Sequence, residues 1–297
     1  MDNYSSPTQR PVNYSWLRPI LFGSAFVLMT LVFGCSRPAE NNARTGATND
    51  PDQLLRQMSE KLAQAKGLSF KVDRKLDAAL VEGRNIADSA GIEISVSRPG
   101  KFQARSNSID NVRQIFFDSQ NLTIYDQTMN LYATVPVTGT IDDAVAKVDE
   151  KYGFTPPLAE FILSDPYKAL SGQIKSKAYK GQENVGGVNC HHLTMSGDEV
   201  DSDLWIGADD LLPRKLVATF KNREGNPKLQ ADFSSWNLTP TLDDKIFAFV
   251  PPKDAEKIEM ITEAQMQEAA AKESTSPESA AAAPQKSASP VASKKGN

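Results

Sequence analysis

Two series of short β-prone segments occupy the middle of the chain and constrain its fold most. Their β-branched and aromatic residues come in runs bounded by turn signals such as Arg98-Pro99-Gly100 and Gly186-Gly187. Short runs joined by tight turns favour antiparallel pairing between neighbours along the chain. The predicted strands cover residues 68–81, 86–97, 101–107, 112–117, 122–125 and 131–135, and then 174–185, 188–195, 204–207, 214–221 and 228–238.

Helices are predicted before and between the two series. Asp50 can cap a first helix, Pro51 suits its first turn, and Gly67 ends it. Thr140 can cap a second helix over residues 141–152, and short helices are expected near 158–163 and 166–170. The predicted fold is therefore α+β and mainly antiparallel β. We expect a curved sheet or half-open barrel with helices covering its concave face.

Some predicted strands are apolar on both faces. In Ile115-Phe116-Phe117 and Leu204-Trp205-Ile206 the residues do not alternate with polar neighbours. A sheet with one wet face alternates more regularly. We therefore expect one face to pack on helices or to line a cavity.

The N-terminus is predicted to be an export signal. Residues 20–33 form an uncharged run of about 21 Å as a helix, shorter than a bilayer core of about 30 Å, which favours a cleavable signal over a permanent span. Val32, Gly34 and Cys35 resemble the end of a bacterial lipoprotein signal, which implies acylation of the Cys35 thiol. The alternative is an ordinary signal or anchor in which Cys35 is incidental. An Asp after the lipidated cysteine resembles an inner-membrane retention signal of Gram-negative envelopes. Ser36 stands at that position instead, so the resemblance implies the periplasmic face of the outer membrane.

Composition defines the remaining parts of the chain. Residues 1–34 are the predicted signal peptide, 35–50 a flexible linker from Cys35, 51–260 one β-rich domain and 261–297 a low-complexity, largely disordered tail. The formal net charge is −4. A mildly acidic chain without a basic stripe argues against nucleic acid as a partner. The expected membrane contact is through acyl chains on Cys35.

The sequence predicts neither a metal site nor a catalytic site. Cys190, His191 and His192 are adjacent, but neighbours on a strand point to opposite faces and cannot bind one ion together. Cys190, with Cys35 acylated, is expected to be a buried core residue, with His192 inside beside it. The acidic residues 198–203 are expected to form a solvated loop before a strand. No cofactor is predicted.

A family resemblance is carried by segments spread over the predicted domain: 122–126, 132–136, 141–144, 151–153, 156–159, 164–167, 190–193, 212–216 and 235–237. These segments resemble a bacterial family of predicted periplasmic proteins of unknown function. Its strand and helix order is similar to the lipoprotein-carrier fold of the LolA and LolB type, and to mycobacterial lipid-carrying lipoproteins. That resemblance implies a half-closed antiparallel barrel whose helices shelter acyl chains.

Two non-catalytic functions follow as hypotheses. In the first, an envelope lipoprotein binds a hydrophobic ligand, a lipid or another lipoprotein's acyl chain, in the concavity of the sheet. The expected lining residues are Phe117, Ile124, Trp205 and Phe220. In the second, the same sheet has a filled core and serves as a protein–protein interaction, sensor or assembly module. A cavity for an acyl chain would favour the first hypothesis, and a densely packed interior the second.

Overall fold

The structure is a computed structural model that describes residues 49–81, 87–156, 158–262 and 264–265. The predicted signal peptide, Cys35 and most of the linker and tail lie outside these residues. The chain divides into two units, one of residues 12–260 and one that joins 1–11 with 261–297. In the second unit, the Thr262 hydroxyl accepts a hydrogen bond from the Gln265 backbone N–H.

The first unit contains four α-helices and twelve strands among its described residues. Two short 3₁₀ helices, Ala159–Phe161 and Asp244–Ile246, lie between them. The α-helices are α1 (Pro51–Gln64), α2 (Ala78–Val81), α3 (Ile141–Tyr152) and α4 (Pro166–Ser171). The strands are β1 (Gly67–Leu76), β2 (Ser89–Ser97), β3 (Lys101–Asn107), β4 (Val112–Phe117), β5 (Asn121–Asp126), β6 (Leu131–Pro136), β7 (Ile174–Val185), β8 (Val188–Gly197), β9 (Val200–Gly207), β10 (Pro213–Phe220), β11 (Lys228–Asn237) and β12 (Glu256–Lys257).

All twelve strands form one curved, unclosed sheet. Its order is β12-β6-β5-β4-β3-β2-β1-β11-β10-β9-β8-β7, and every neighbouring pair is antiparallel except β12 with β6. The strands before and after α3 are consecutive hairpins. The two series are joined where β1 pairs with β11, with Val72 opposite Phe233 and Arg74 opposite Ala231. The predicted α+β fold with a half-open antiparallel barrel is confirmed.

Local sequence signals set the ends of the two longer helices. The Asp50 carboxylate accepts a hydrogen bond from the Asp52 backbone N–H at 2.9 Å, and Pro51 follows at the first helical position. Thr140 and Asp143 form a capping box at the start of α3. Gly153 ends that helix with a φ of 59°, a left-handed conformation that glycine adopts without strain.

One face of the sheet, here called the inner face, packs against the helices. Strand residues alternate so that every second side chain lies on this face, and α1 and α3 pack their apolar stripes onto it in one continuous core. The inner-face side chains include Phe70, Val72, Ile94, Phe102, Phe117, Leu122, Leu193, Leu204, Leu216 and Phe233. Helices therefore cover the concave face, as predicted. Among the described residues, no helix has both the length and the apolarity to cross a membrane.

Two predicted segments have different bounds in the structure. The run 68–81 is a strand only to Leu76, because the chain turns at Asp77 and α2 buries Leu80 against the core. Of the acidic residues before residue 204, Asp198 and Glu199 lie in the turn between β8 and β9, as predicted, but Asp201 and Asp203 lie on β9, which already begins at Val200. The Asp201 carboxylate pairs at 2.8 Å with Lys221, which directly follows the neighbouring strand β10. Cross-strand pairing thus outweighs the low strand propensity of aspartate.

Residues 238–260, here called the C-terminal strap, follow β11, and Phe249 in this segment packs against the opposite face of the first strand series. Phe249 lies 5.1 to 5.4 Å, between ring centroids, from Phe116, Tyr125 and Tyr132. Phe247 is only 1% exposed. The strap ends in β12, which pairs with β6 and covers that edge of the sheet.

Phe247→Ala is expected to lower the free energy of unfolding by about 3–5 kcal/mol, because truncating a buried phenylalanine removes apolar contacts and leaves a cavity. Guanidinium unfolding followed by circular dichroism measures the change. Val250, three residues later, is 79% exposed. Val250→Ala should change the free energy by less than about 0.5 kcal/mol. Equal effects of the two substitutions would contradict the packing role of the strap.

Candidate functional site

The inner face has a zone that is filled by protein side chains. Phe117 and Leu122 from β4 and β5, Leu55 and Leu62 from α1, and Phe161 have no exposed surface; we call this set the covered zone. Side chains without accessible surface leave no space for a water-sized probe beside them. The covered zone is therefore a packed core.

Aromatic contacts fix this packing at the junction between the two strand series. Phe70 of β1 stacks on Trp236 of β11 with ring centroids 4.2 Å apart, and Phe161 lies 4.8 Å from Phe233. The Trp236 indole N–H donates to the Pro213 carbonyl at 2.8 Å. These contacts connect the helical insert to β1 and β11.

Three apolar side chains of the first strand series are partly exposed on the inner face. Leu76, Ala104 and Ile124, from β1, β3 and β5, face the same side as the core and pack against it; we call these three residues the rim. The strand register places Ala104 and Ile124 in one row with Phe70, whereas Leu76 lies six residues further along β1. The rim thus offers separate apolar contacts beside the core.

A polar cluster lies on the inner face between Leu76 and the row of Ala104 and Ile124. Arg74 is 7% exposed, and its Nη2 donates to the Ala87 carbonyl at 2.8 Å. Arg113 donates to the Asp126 carboxylate at 2.9 Å. Burial lowers the pKa of Arg74, and the like charge of Arg113 lowers it further, while Asp88 acts in the opposite direction.

The Asp126 carboxylate of this cluster accepts several hydrogen bonds. Its donors are Arg113, the Asn111 side-chain amide at 2.9 Å and the Met129 backbone N–H at 3.0 Å. Together they hold the pKa of Asp126 below its usual value against the effect of burial. The Asp126 carboxylate therefore already has hydrogen-bond donors from its own and the neighbouring strand and loop.

The structure brings three of the four predicted lining residues to the inner face. Phe117 and Phe220 are buried in the core, and Ile124 belongs to the rim. Trp205 lies on the opposite face, where its ring stacks on His192 at 4.3 Å and its indole N–H donates to Glu183 at 2.9 Å. Leu204, its neighbour, takes the inner position instead.

The two adjacent histidines also lie on opposite faces of the sheet. The sequence predicts His192 on the inner face, but His191 lies there instead. His191 is buried on the inner face, where Nδ1 lies 3.2 Å from the Tyr179 hydroxyl oxygen. His192 lies on the other face, with Nδ1 2.8 Å from Glu183 and Nε2 2.7 Å from Asp203. The expectation that His192 faces the core is wrong, because the register of β8 gives that place to His191.

Cys190 is fully buried on β8, and burial raises the pKa of its thiol. This confirms its prediction as a buried strand residue. Within the described part of the chain, no group of three or more histidine, cysteine, aspartate or glutamate side chains is arranged to hold a metal ion.

A charged cluster ties the helical cover to the edge strand β7. The Asp52 carboxylate of α1 accepts hydrogen bonds from the Tyr167 hydroxyl of α4 and from Lys177 of β7, both at 2.6 Å, and from Arg56 Nε at 2.8 Å. The Arg56 guanidinium lies 3.7 Å from the centroid of the Tyr167 ring. Lys177, Tyr167 and Arg56 together hold the pKa of Asp52 well below its usual range.

Sequence reasoning missed Arg74 and the Asp52 cluster. Arg74 had a detectable signal, since it continues the alternation of Leu68, Phe70 and Val72 and so occupies an inner-face position. The Asp52 cluster had none, because Lys177 is 125 residues from Asp52 in sequence.

The chain belongs to the family of predicted periplasmic proteins known as DUF2092, whose model matches residues 51–261. This confirms the predicted family. No curated protein matches the sequence at a significant level.

The chain is also similar to several solved structures at low sequence identity. An uncharacterised conserved protein from Thermus thermophilus is 12% identical with a TM-score of 0.42, covering 70% of this chain and 98% of that one. LprF from Mycobacterium bovis is 13% identical with a TM-score of 0.42, covering 66% and 97%. A LolA superfamily protein from Nitrosomonas europaea is 10% identical with a TM-score of 0.32, covering 67% and 98%.

Asp52→Asn is expected to remove an acid-sensitive part of the stability. Because the folded state lowers the pKa of Asp52, the contribution is present above the unfolded pKa of about 3.9 and is lost as the pH falls below it. The side chain is 38% exposed, so solvent screening limits the effect at neutral pH to about 1 kcal/mol.

Urea unfolding from pH 7 to pH 3 measures this dependence. The difference between wild type and Asp52→Asn should shrink as the pH falls. Asp198→Asn, which removes the exposed ion pair with Lys175, is the matched control and should have a smaller effect. A difference for Asp52→Asn that is unchanged across the range would contradict the cluster's role.

Proposed function

We propose that this protein is a non-catalytic periplasmic lipoprotein that binds a hydrophobic ligand, a lipid or an acyl chain, at the rim of the inner face. The observation that carries the proposal is that the apolar side chains of Leu76, Ala104 and Ile124 are partly exposed on the inner face and pack against the buried core. Apolar side chains on a concave surface can shield an acyl chain from water on several sides. Family membership supports the periplasm as the compartment.

The ligand contacts differ from those that the sequence predicts. Phe117 and Phe220 are buried in the core, so they would support the site from beneath. Ile124 would contact the ligand directly, together with Ala104 and Leu76. Trp205 has no part in the proposed site, because it lies on the opposite face with His192.

We propose further that acyl chains on Cys35 anchor the protein to the periplasmic face of the outer membrane. The supporting features are the uncharged run before Gly34-Cys35 and Ser36 after it. More than one acyl chain is needed for lasting attachment. A protein anchored in this way would accept or deliver a ligand close to its own membrane.

A second candidate function is an interaction or assembly module with a filled core. The full burial of Phe117, Leu122 and Phe161 favours it, because a packed interior leaves no space there for a ligand. The two candidate functions differ at the rim. The ligand-binding function requires the rim side chains to be accessible to a ligand, and the interaction module does not.

Ala104→Trp is expected to weaken binding of a hydrophobic ligand by at least about tenfold, because the indole would occupy the rim. The measurement is the fluorescence of N-phenyl-1-naphthylamine, an uncharged probe, added to the full chain freed of detergent. Ala178→Trp is the matched control, since Ala178 is exposed on the opposite face of edge strand β7. It should leave the affinity unchanged.

The interaction-module function predicts that the probe does not bind at the rim. If wild-type protein binds no probe, or if both tryptophan variants bind it as tightly as wild type, ligand binding at the rim is contradicted. Thermal unfolding of each variant shows whether the fold is retained.

Cys35→Ala is expected to abolish incorporation of labelled palmitate and to release the protein from the membrane fraction of cells that express it. Cys190→Ala, which changes the other cysteine of the chain, should retain both the label and the membrane location. Density-gradient separation of wild type should place it with the outer membrane. Labelling of Cys35→Ala, or wild type in the inner-membrane fraction, would contradict the proposed anchor or its location.

A further inference from the structure

Arg74 is a charged side chain buried with too few partners. Its register places it on the inner face, opposite Ala90 of β2 and Ala231 of β11. Among the described residues, no carboxylate forms an ion pair with it, and its Nε has no hydrogen-bond acceptor. A buried guanidinium in such surroundings is destabilising, because the charge and the N–H groups lose their hydration without full replacement.

The neighbouring charges do not relieve this deficit. Arg113 is close enough to disfavour the charge of Arg74, and it already donates to Asp126. Asp126 in turn accepts from Asn111 and Met129. Asp88 is exposed and lies beyond ion-pair distance. The inner face thus has a guanidinium whose natural partner is an anion from outside the described chain.

A second buried arginine provides the comparison. The Nε of Arg98 likewise has no acceptor, but its Nη1 and Nη2 donate to the carbonyls of Ile162 at 2.7 Å and Leu62 at 3.4 Å. Leu62 is in the last turn of α1, where carbonyls lack intrahelical donors. Arg98 therefore has two carbonyl acceptors and a structural role in holding α1, whereas Arg74 has one, the Ala87 carbonyl.

We propose that Arg74 binds the anionic headgroup, a carboxylate or a phosphate monoester, of an amphiphile whose hydrocarbon tail lies on the rim. A guanidinium offers two parallel N–H groups that match both oxyanions. Of the rim residues, Leu76 is two residues from Arg74 on the same face, about 7 Å along the strand. Ala104 and Ile124 lie in the row of Phe70, four residues from Arg74 in the other direction. The apolar contact next to the headgroup site is therefore Leu76. This inference rests on the proposed function and names the class of its ligand.

The experiment compares ligands that share a tail and differ in the headgroup. Dodecanoate, dodecyl phosphate and dodecanol are titrated by calorimetry into the full chain freed of detergent, and inorganic phosphate is titrated alone. Both anionic amphiphiles should bind at least about tenfold more tightly than dodecanol, because a charge-assisted pair in a buried site adds to the same apolar contact. Inorganic phosphate should bind far more weakly than dodecyl phosphate.

Arg74→Gln tests the residue itself. It should reduce the affinity for the two anionic ligands to that of dodecanol and leave dodecanol binding unchanged. Arg105→Gln makes the same change of net charge on the opposite face, where Arg105 donates to Asn107, and should alter neither affinity. If Arg74→Gln does not fold, the affinities of wild type for the three amphiphiles still test whether an anionic headgroup is recognised.

The outcomes separate this inference from the function on which it rests. Equal wild-type affinity for dodecanol and dodecanoate overturns the headgroup site and leaves hydrophobic binding intact. Loss of anionic binding in both arginine variants alike also overturns it. Tight binding of inorganic phosphate overturns the amphiphile in favour of a free anion. No binding of any amphiphile overturns the proposed function itself.

Discussion

The pairing of β1 with β11 is the interaction on which the rest of this structure depends. Each strand series is a set of consecutive hairpins that could form with local contacts alone. Among the described residues, only the β1–β11 ladder joins them into one sheet, and the two strands are separated by more than 150 residues of chain. The stacked rings of Phe70 and Trp236, and the contact of Phe161 with Phe233, bury this junction beneath the helical insert. Losing it would divide the inner face in two.

The joined sheet has two faces of different chemical character. The inner face packs against the helices, and it remains partly open at Leu76, Ala104 and Ile124. The opposite face of the second series carries polar pairs such as His192 with Glu183 and Asp203. In the proposed function a hydrophobic ligand would bind on the inner face, where Arg74 is the buried charged residue.

The sequence predicted the strand positions well, because turn residues and β-branched runs are local signals. Strand order was not predictable to the same extent, since nothing local in β1 specifies β11 as its partner. The face of the sheet on which Trp205 lies could not be predicted either. Leu204-Trp205-Ile206 is apolar throughout, so the sequence does not show which of these residues point towards the core. The rim residue Ile124 was identified by its strand, whereas Arg74 required the register of β1 to be seen.

Native mass spectrometry of the full chain released from membranes tests the central claim most directly. A bound amphiphile would appear as added mass that is lost under denaturing conditions, whereas acyl chains on Cys35 would remain. We predict such an adduct, of one anionic amphiphile per chain, in wild type. Identical native and denatured masses, with only covalent acylation in both, would contradict ligand binding and favour a filled interaction module.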